Sequence, residues 1–184
     1  MKKATARDAI ITTASRLFYK QGYSNTGINQ IIEEAGVAKS TLYQRFRSKE
    51  DLLLAYLEHT GSSTTQSLTK AAESASTPKE KLLAIFNYLE ELTASPDFYG
   101  CHFLNMVYEL PEGKERARQQ IKKQKDTVRD LFAHILKPIH QEQLADEIYT
   151  LFEGALIAHK IHHNTWPITS AKNTISRLFK NFNQ

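Results

Sequence analysis

The 184-residue chain is expected to be all-α. Three observations say so. Apolar residues recur at three- and four-residue spacing along most of the length. Glycines and prolines are few, seven and five, and most stand between these periodic segments rather than inside them. Alternating β-branched runs, the mark of strands, are almost absent. About nine helices follow from the spacing, joined by the short loops usual in helical bundles.

The first helix is expected over about 5–20, where Ile10, Ala14, Leu17 and Phe18 make an i, i+4, i+7, i+8 stripe. Gly22 ends it as a C′ residue, and Tyr23 folds back as an apolar anchor. Thr26 is read as the N-cap of a second helix whose Ile28, Ile31, Ile32 and Ala35 face inward. Gly36 supplies the positive φ of a tight turn, and Val37 fills the gap behind it. A short third helix covers about 39–46, with Leu42, Tyr43 and Phe46 as candidate anchors. Ser48 caps a fourth helix, with Asp51 three residues on. Leu52, Leu53, Tyr56 and Leu57 carry it toward Glu73.

Thr77-Pro78, with Glu80 three residues past the cap, opens a fifth helix that Ser95-Pro96 stops. A sixth, about 99–109, is framed by Pro96 and Pro111. A seventh, about 112–136, begins highly charged and is broken by Pro138. An eighth spans about 141–163 and a ninth about 170–182, separated by Asn164-Thr165-Trp166-Pro167 as a breaker.

Composition narrows the function classes. The chain is 41% apolar and 24% charged, with a net charge of +4 and a pI of about 9.1, which permits nucleic-acid binding without demanding it. The one cysteine, Cys101, excludes an internal disulfide and a Cys-rich zinc module, and points to a reducing, cytoplasmic compartment. The N-terminus lacks a signal-peptide apolar run, and no window approaches the ~20 apolar residues of a membrane span. HExxH, GxSxG, P-loop and glycine-rich nucleotide motifs are all missing, so neither an enzyme nor a cofactor is expected.

The second and third helices, hinged at Gly36, have the layout of a helix-turn-helix DNA reader. A recognition helix must be thin near its start and able to donate to phosphates and base edges at once. Ala38 and Ser40 allow close approach, Thr41 and Tyr43 offer hydroxyls, Lys39 a charge, and Gln44 an amide for base edges. Thr26 and Lys49 sit at the starts of the flanking helices as phosphate donors, and Lys2, Lys3 and Arg7 are candidates for an N-terminal arm. On residue types alone, a small capped bundle with a solvated polar face is the competing reading.

Residues 7–56 resemble the N-terminal domain of the TetR family of bacterial transcriptional repressors. The matching residues are Ile10, Ala14, Leu17-Phe18, Gly22-Tyr23, Thr26, Ile31, Ala35-Gly36-Val37-Ala38-Lys39, Thr41-Leu42-Tyr43, Phe46 and Ser48 to Leu53. The resemblance implies phosphate contacts from Thr26, Thr41, Tyr43 and Lys49, and base or groove contacts from Lys39, Ser40 and Gln44. Ser40 stands where many members carry Gly or Ala, and Asn29-Gln30 replace a usual charged pair. It further implies a DNA-binding domain over 1–48 and a C-terminal bundle over 49–184 that binds an effector and dimerises through its last two helices. The expected protein is a homodimeric repressor on a palindromic DNA operator.

For dimerisation, the eighth helix offers Leu144, Ile148, Leu151, Phe152, Ala155, Leu156 and Ala158 around Gly154, a mixture that lets helices approach closely. The ninth adds Ile175, Leu178, Phe179 and Phe182. For an apolar or aromatic small-molecule effector, residues 98–110 gather aromatics, a thiol, an imidazole and an amide into one short segment. The candidate pocket residues are Phe86, Leu89, Tyr99, His102, Phe103, Met106, Phe132, Tyr149, Phe152 and Trp166. Plain core packing competes at each of them. A second function class is a metal- or thiol-based sensor: His159, His162 and His163 have ligand-like spacing, and Cys101 is a possible redox thiol. Against these stand a helix C-terminus that favours histidine, and a buried structural thiol with no neighbouring Lys or Arg in sequence.

Overall fold

A computed structural model of the chain describes residues 5–180. Among these the expected all-α class is met: nine α-helices and no strand. They are α1 (Ala6–Gln21), α2 (Ile28–Ala35), α3 (Lys39–Arg45), α4 (Lys49–Glu73), α5 (Pro78–Thr93), α6 (His102–Glu109), α7 (Glu115–Leu136), α8 (Ala145–His162) and α9 (Trp166–Leu178). Two short 3-10 segments, Lys137–Ile139 and Glu142–Leu144, separate α7 from α8. None of the described helices is long and apolar enough to cross a membrane.

Caps account for most boundaries. Thr5 and Thr77 each accept from the backbone N–H three residues on, while Asp8 and Glu80 return the bond to the cap residue, completing two capping boxes. Ser48 Oγ accepts from Asp51 N at 3.1 Å at the head of α4, which then runs unbroken to Glu73. Two expectations are corrected. The N-cap of α2 is Gly27, because the buried Thr26 hydroxyl donates instead to the Gly22 carbonyl at 2.6 Å. Pro167 does not break a helix but stands in the first turn of α9, where no backbone N–H is required. The expected Phe182 position lies outside the described residues.

The chain divides into two compact units. As far as it is described, the first comprises residues up to Ser62 with His102–Lys123, and the second Ser63–Cys101 with the residues from Gln124 onward. This grouping does not follow the 48/49 boundary expected from sequence. The first half of α4 supplies Leu52, Leu53, Tyr56 and Leu57 to the first unit, all fully buried. Phe103, Met106 and Leu110 from α6 and its exit are buried there as well.

In the first unit, α1 packs on α2 and α3, and Phe18 meets Tyr23 and Tyr56 edge-on at 5.3 and 5.6 Å. In the second, α9 packs on α8 and α5. Its core holds Phe86, Phe132 and Ile148 at 0% exposure, with Phe152 meeting both phenylalanines edge-on at 5.9 and 5.7 Å.

Candidate nucleic-acid interface

The reader is built so that one side of α3 is anchored and the other is bare. Leu42 is fully buried and Phe46, at the C-cap, nearly so. Lys39, Ser40, Tyr43, Gln44 and Arg45 are exposed and Thr41 is half-buried. Tyr43, expected as an anchor, is 44% exposed and is not part of the core.

The turn before α3 is set by Gly36 at φ 63°, ψ 35°, with Gly36 N and Val37 N donating to the Glu33 and Ile32 carbonyls. An L side chain is strained in that conformation, so glycine is what permits so short a link. The α2 side is braced by an Arg16–Glu34 ion pair and by Gln30, which donates to Glu34 at 2.9 Å.

The flanking donors are more constrained than the sequence suggests. Thr26 is 1% exposed, with its hydroxyl proton committed to Gly22. Lys49 is half-buried, with its ammonium 4.3 Å from the centre of the Tyr23 ring. Burial draws the Lys49 pKa down, and the charge of Glu109 draws it partly back up. Arg7 belongs to α1 and stacks 5.7 Å over Phe46, while Lys2 and Lys3 lie outside the described residues. Arg45 and Arg47, exposed on either side of Phe46, were missed as candidates; their signal was two cations straddling a buried aromatic.

The candidate effector residues divide between the units. In the first, Phe103 and Met106 are buried, and His102 stacks on Tyr19 at 3.6 Å with its Nδ1 2.7 Å from the Tyr56 hydroxyl. Burial lowers the His102 pKa from 6.5 to about 4, so the ring is neutral near pH 7.

In the second unit, Phe86, Leu89, Phe132 and Phe152 are brought together in the core, with Tyr149 packed against them. The Tyr99 carbonyl accepts from Lys160 at 2.7 Å. Trp166 stands apart, 52% exposed and 5.4 Å from the His162 ring. A groove of about 430 Å³ between α8 and α9, lined by Asp146, Glu147, Thr150, Leu151, Thr174 and Leu178, includes none of the ten.

Cys101 has a partner invisible in sequence. Lys125 Nζ lies 3.3 Å from its Sγ and donates to both carboxylate oxygens of Glu153, at 2.8 and 2.7 Å. Burial, and next the Glu153 charge, raise the nearby Tyr149 phenol. The histidines do not converge: His159 meets Phe98 edge-on at 5.8 Å, His162 faces Trp166, and His163 closes α8 in a left-handed conformation. Among the described residues, no group of three or more His, Cys, Asp or Glu side chains is placed to hold a metal ion.

A trihelical head with a bare, polar second reading helix on buried anchors defines the helix-turn-helix class. Residues 10–56 match the family described as "Bacterial regulatory proteins, tetR family". YxaF, an uncharacterized HTH-type transcriptional regulator of Bacillus subtilis, is 37% identical over 81 residues, 44% of this chain and 42% of that protein. The chain thus spans less than half the length of that relative.

The repressor NemR of Escherichia coli is 24% identical over 180 residues, 90% of this chain and 89% of NemR. The crystal structure of its reduced form matches with a TM-score of 0.85 at 23% identity, over 94% of this chain and 96% of that one. A TetR-family regulator from Streptomyces coelicolor matches with a TM-score of 0.87 at 25% identity, over 97% of this chain and 90% of that one. Residues 10–56 therefore carry a TetR-family likeness, and these relatives are named as regulators of transcription.

Proposed function

We propose that the protein is a cytoplasmic, homodimeric transcriptional repressor that reads a palindromic operator and leaves it when a small molecule binds. The observation that carries the DNA-binding half is α3: Lys39, Ser40, Tyr43, Gln44 and Arg45 are bare while Leu42 and Phe46 anchor the helix. Lys39, Ser40 and Gln44 take the base edges; Thr41, Tyr43 and Lys49 take phosphates, with Arg45 and Arg47 added beside them. Thr26 serves through its backbone and through the turn that it braces.

Dimerisation through α8 and α9 follows from two-fold operators and from the exposed apolar residues Ile157 (39%) and Ile161 (66%) on α8. Residues 1–48 would then read DNA and 49–184 would sense. The effector is an apolar or aromatic molecule, and within the second unit Phe86, Leu89, Phe132, Tyr149 and Phe152 are the candidate residues to meet it. It must prefer the released conformation, since only differential affinity shifts the equilibrium. The test is selection of a duplex from a random pool, sedimentation of the complex, and a ligand screen for release. A monomer on DNA, or no selected sequence, overturns the reading.

One contact favours a second reading of the signal, a thiol sensor: the Lys125 ammonium against Cys101 Sγ. A Cys101→Ser variant still released by peroxide as the wild type is would remove it.

A further inference from the structure

We propose that Glu109, at the end of α6, is a positioning residue for DNA binding: its carboxylate holds the α1–α2 turn and restrains the Lys49 ammonium. The inference rests on the DNA-binding reading above and adds to it a residue outside the helix-turn-helix.

Three observations converge on the turn Gly22-Tyr23-Ser24. Ser24 N donates to Glu109 Oε2 at 3.3 Å, and Ser24 Oγ donates to the Glu109 carbonyl at 3.4 Å, one of the carbonyls left over at the end of α6. The carboxylate also lies against the bare Cα of Gly22: a Cβ there would meet Glu109 Oε2 at 2.5 Å, and the φ of 91° disfavours any other residue. The middle residue, Tyr23, carries Lys49 on its ring face. Glu109 is therefore bonded to the segment that carries the phosphate-directed cation, and its charge acts on that cation.

The neighbouring charges fit the same role. Glu50 and Asp51, next to Lys49, would repel phosphates, and each is paired by a cation following α6: Lys114 at 2.9 Å and Arg116 at 3.2 Å. The Glu109 carboxylate, held at Ser24 and against Gly22 on either side of the Tyr23 that carries Lys49, has no such cation partner of its own among the described residues and adds its charge to the surroundings of that ammonium. In a DNA complex a phosphate competes with it for the ammonium, so removing the Glu109 charge frees Lys49 to contribute more to binding.

The test uses the full chain and a duplex selected on the wild type, with affinity measured by fluorescence anisotropy across a salt series. Glu109→Gln keeps an acceptor for Ser24 N–H and removes the charge. Binding should tighten by about two- to fivefold, with a salt slope steeper by up to ~0.9, one phosphate's worth. Lys49→Gln in the same background should erase the gain, and Glu109→Asp, which keeps the charge, should stay near wild type. A purely structural role would lower the melting temperature and leave the slope alone. Unchanged or weaker binding by Glu109→Gln, or a gain that survives without Lys49, overturns the proposal. A wild type that selects no duplex overturns the DNA-binding reading itself, and this proposal with it.

Discussion

His102 should make the protein measurably sensitive to acid. Its imidazole is largely covered, stacked on Tyr19 and bonded to the Tyr56 hydroxyl, and its pKa falls from 6.5 to about 4 because desolvation penalises the charged form. A histidine with a depressed folded-state pKa binds fewer protons folded than unfolded between those values. Its contribution is therefore complete above about pH 6.5 and is lost as the pH falls toward 4. At ~1.4 kcal/mol per pH unit the whole effect is about 3 kcal/mol, of which about 2 kcal/mol is gone by pH 5. The assay is urea unfolding of the wild type and of His102→Asn at about pH 8 and pH 5. The asparagine amide occupies the Nδ1 position and does not titrate, so only the difference in pH dependence counts. Wild type should lose about 2 kcal/mol more than the variant over that interval. Equal losses would mean that the ring is hydrated or already charged, and would refute the burial of His102.

Three further outcomes are expected. Tyr43→Ala should weaken operator binding with little change in its salt dependence, because the phenol is neutral, and should leave the melting temperature within a degree or so, because the ring is 44% exposed; unchanged affinity would take Tyr43 off the interface. Thr26→Val should lower stability by about 1–3 kcal/mol in chemical denaturation, since the buried Gly22 carbonyl loses its side-chain donor; a neutral result would show that the bond is replaced by water. Phe132→Ala should cost about 3–5 kcal/mol, and a loss under about 1 kcal/mol would show a loosely filled core around Phe152.

The legible parts of the fold were those with local causes. The capping box at Thr77, the left-handed Gly36 and the Ser48 cap involve partners three to five residues apart, so the residues that make each bond stand together in the chain. The misplaced starts had local signals open to two readings. Thr26 looks like a cap, but its hydroxyl has a choice between the α2 amides and Gly22, and packing of the turn decides it. Pro167 serves equally as a stop or as a first-turn residue, and burial of Pro167 and Ile168 selects the second.

The candidate sites divide in the same way. Inward Leu42 and Phe46 and outward Gln44 follow from periodicity, whereas the exposure of Tyr43, expected as an anchor, and of Lys39, three residues before Leu42, is set by the packing of α3. The Lys125 contact with Cys101 spans 24 residues, the Ser24–Glu109 bond 85 and the Tyr56–His102 bond 46. None of these has a periodic trace, because side-chain hydrogen bonds between distant helices depend on crossing geometry rather than on spacing. By itself the sequence determined helices, caps and the buried anchors of α3, since these depend on neighbours within a turn or two. Tertiary structure alone decided that α6 packs with the reader, that Glu109 reaches the turn at Ser24, and that a lysine stands against Cys101: contacts made by packing the chain back on itself.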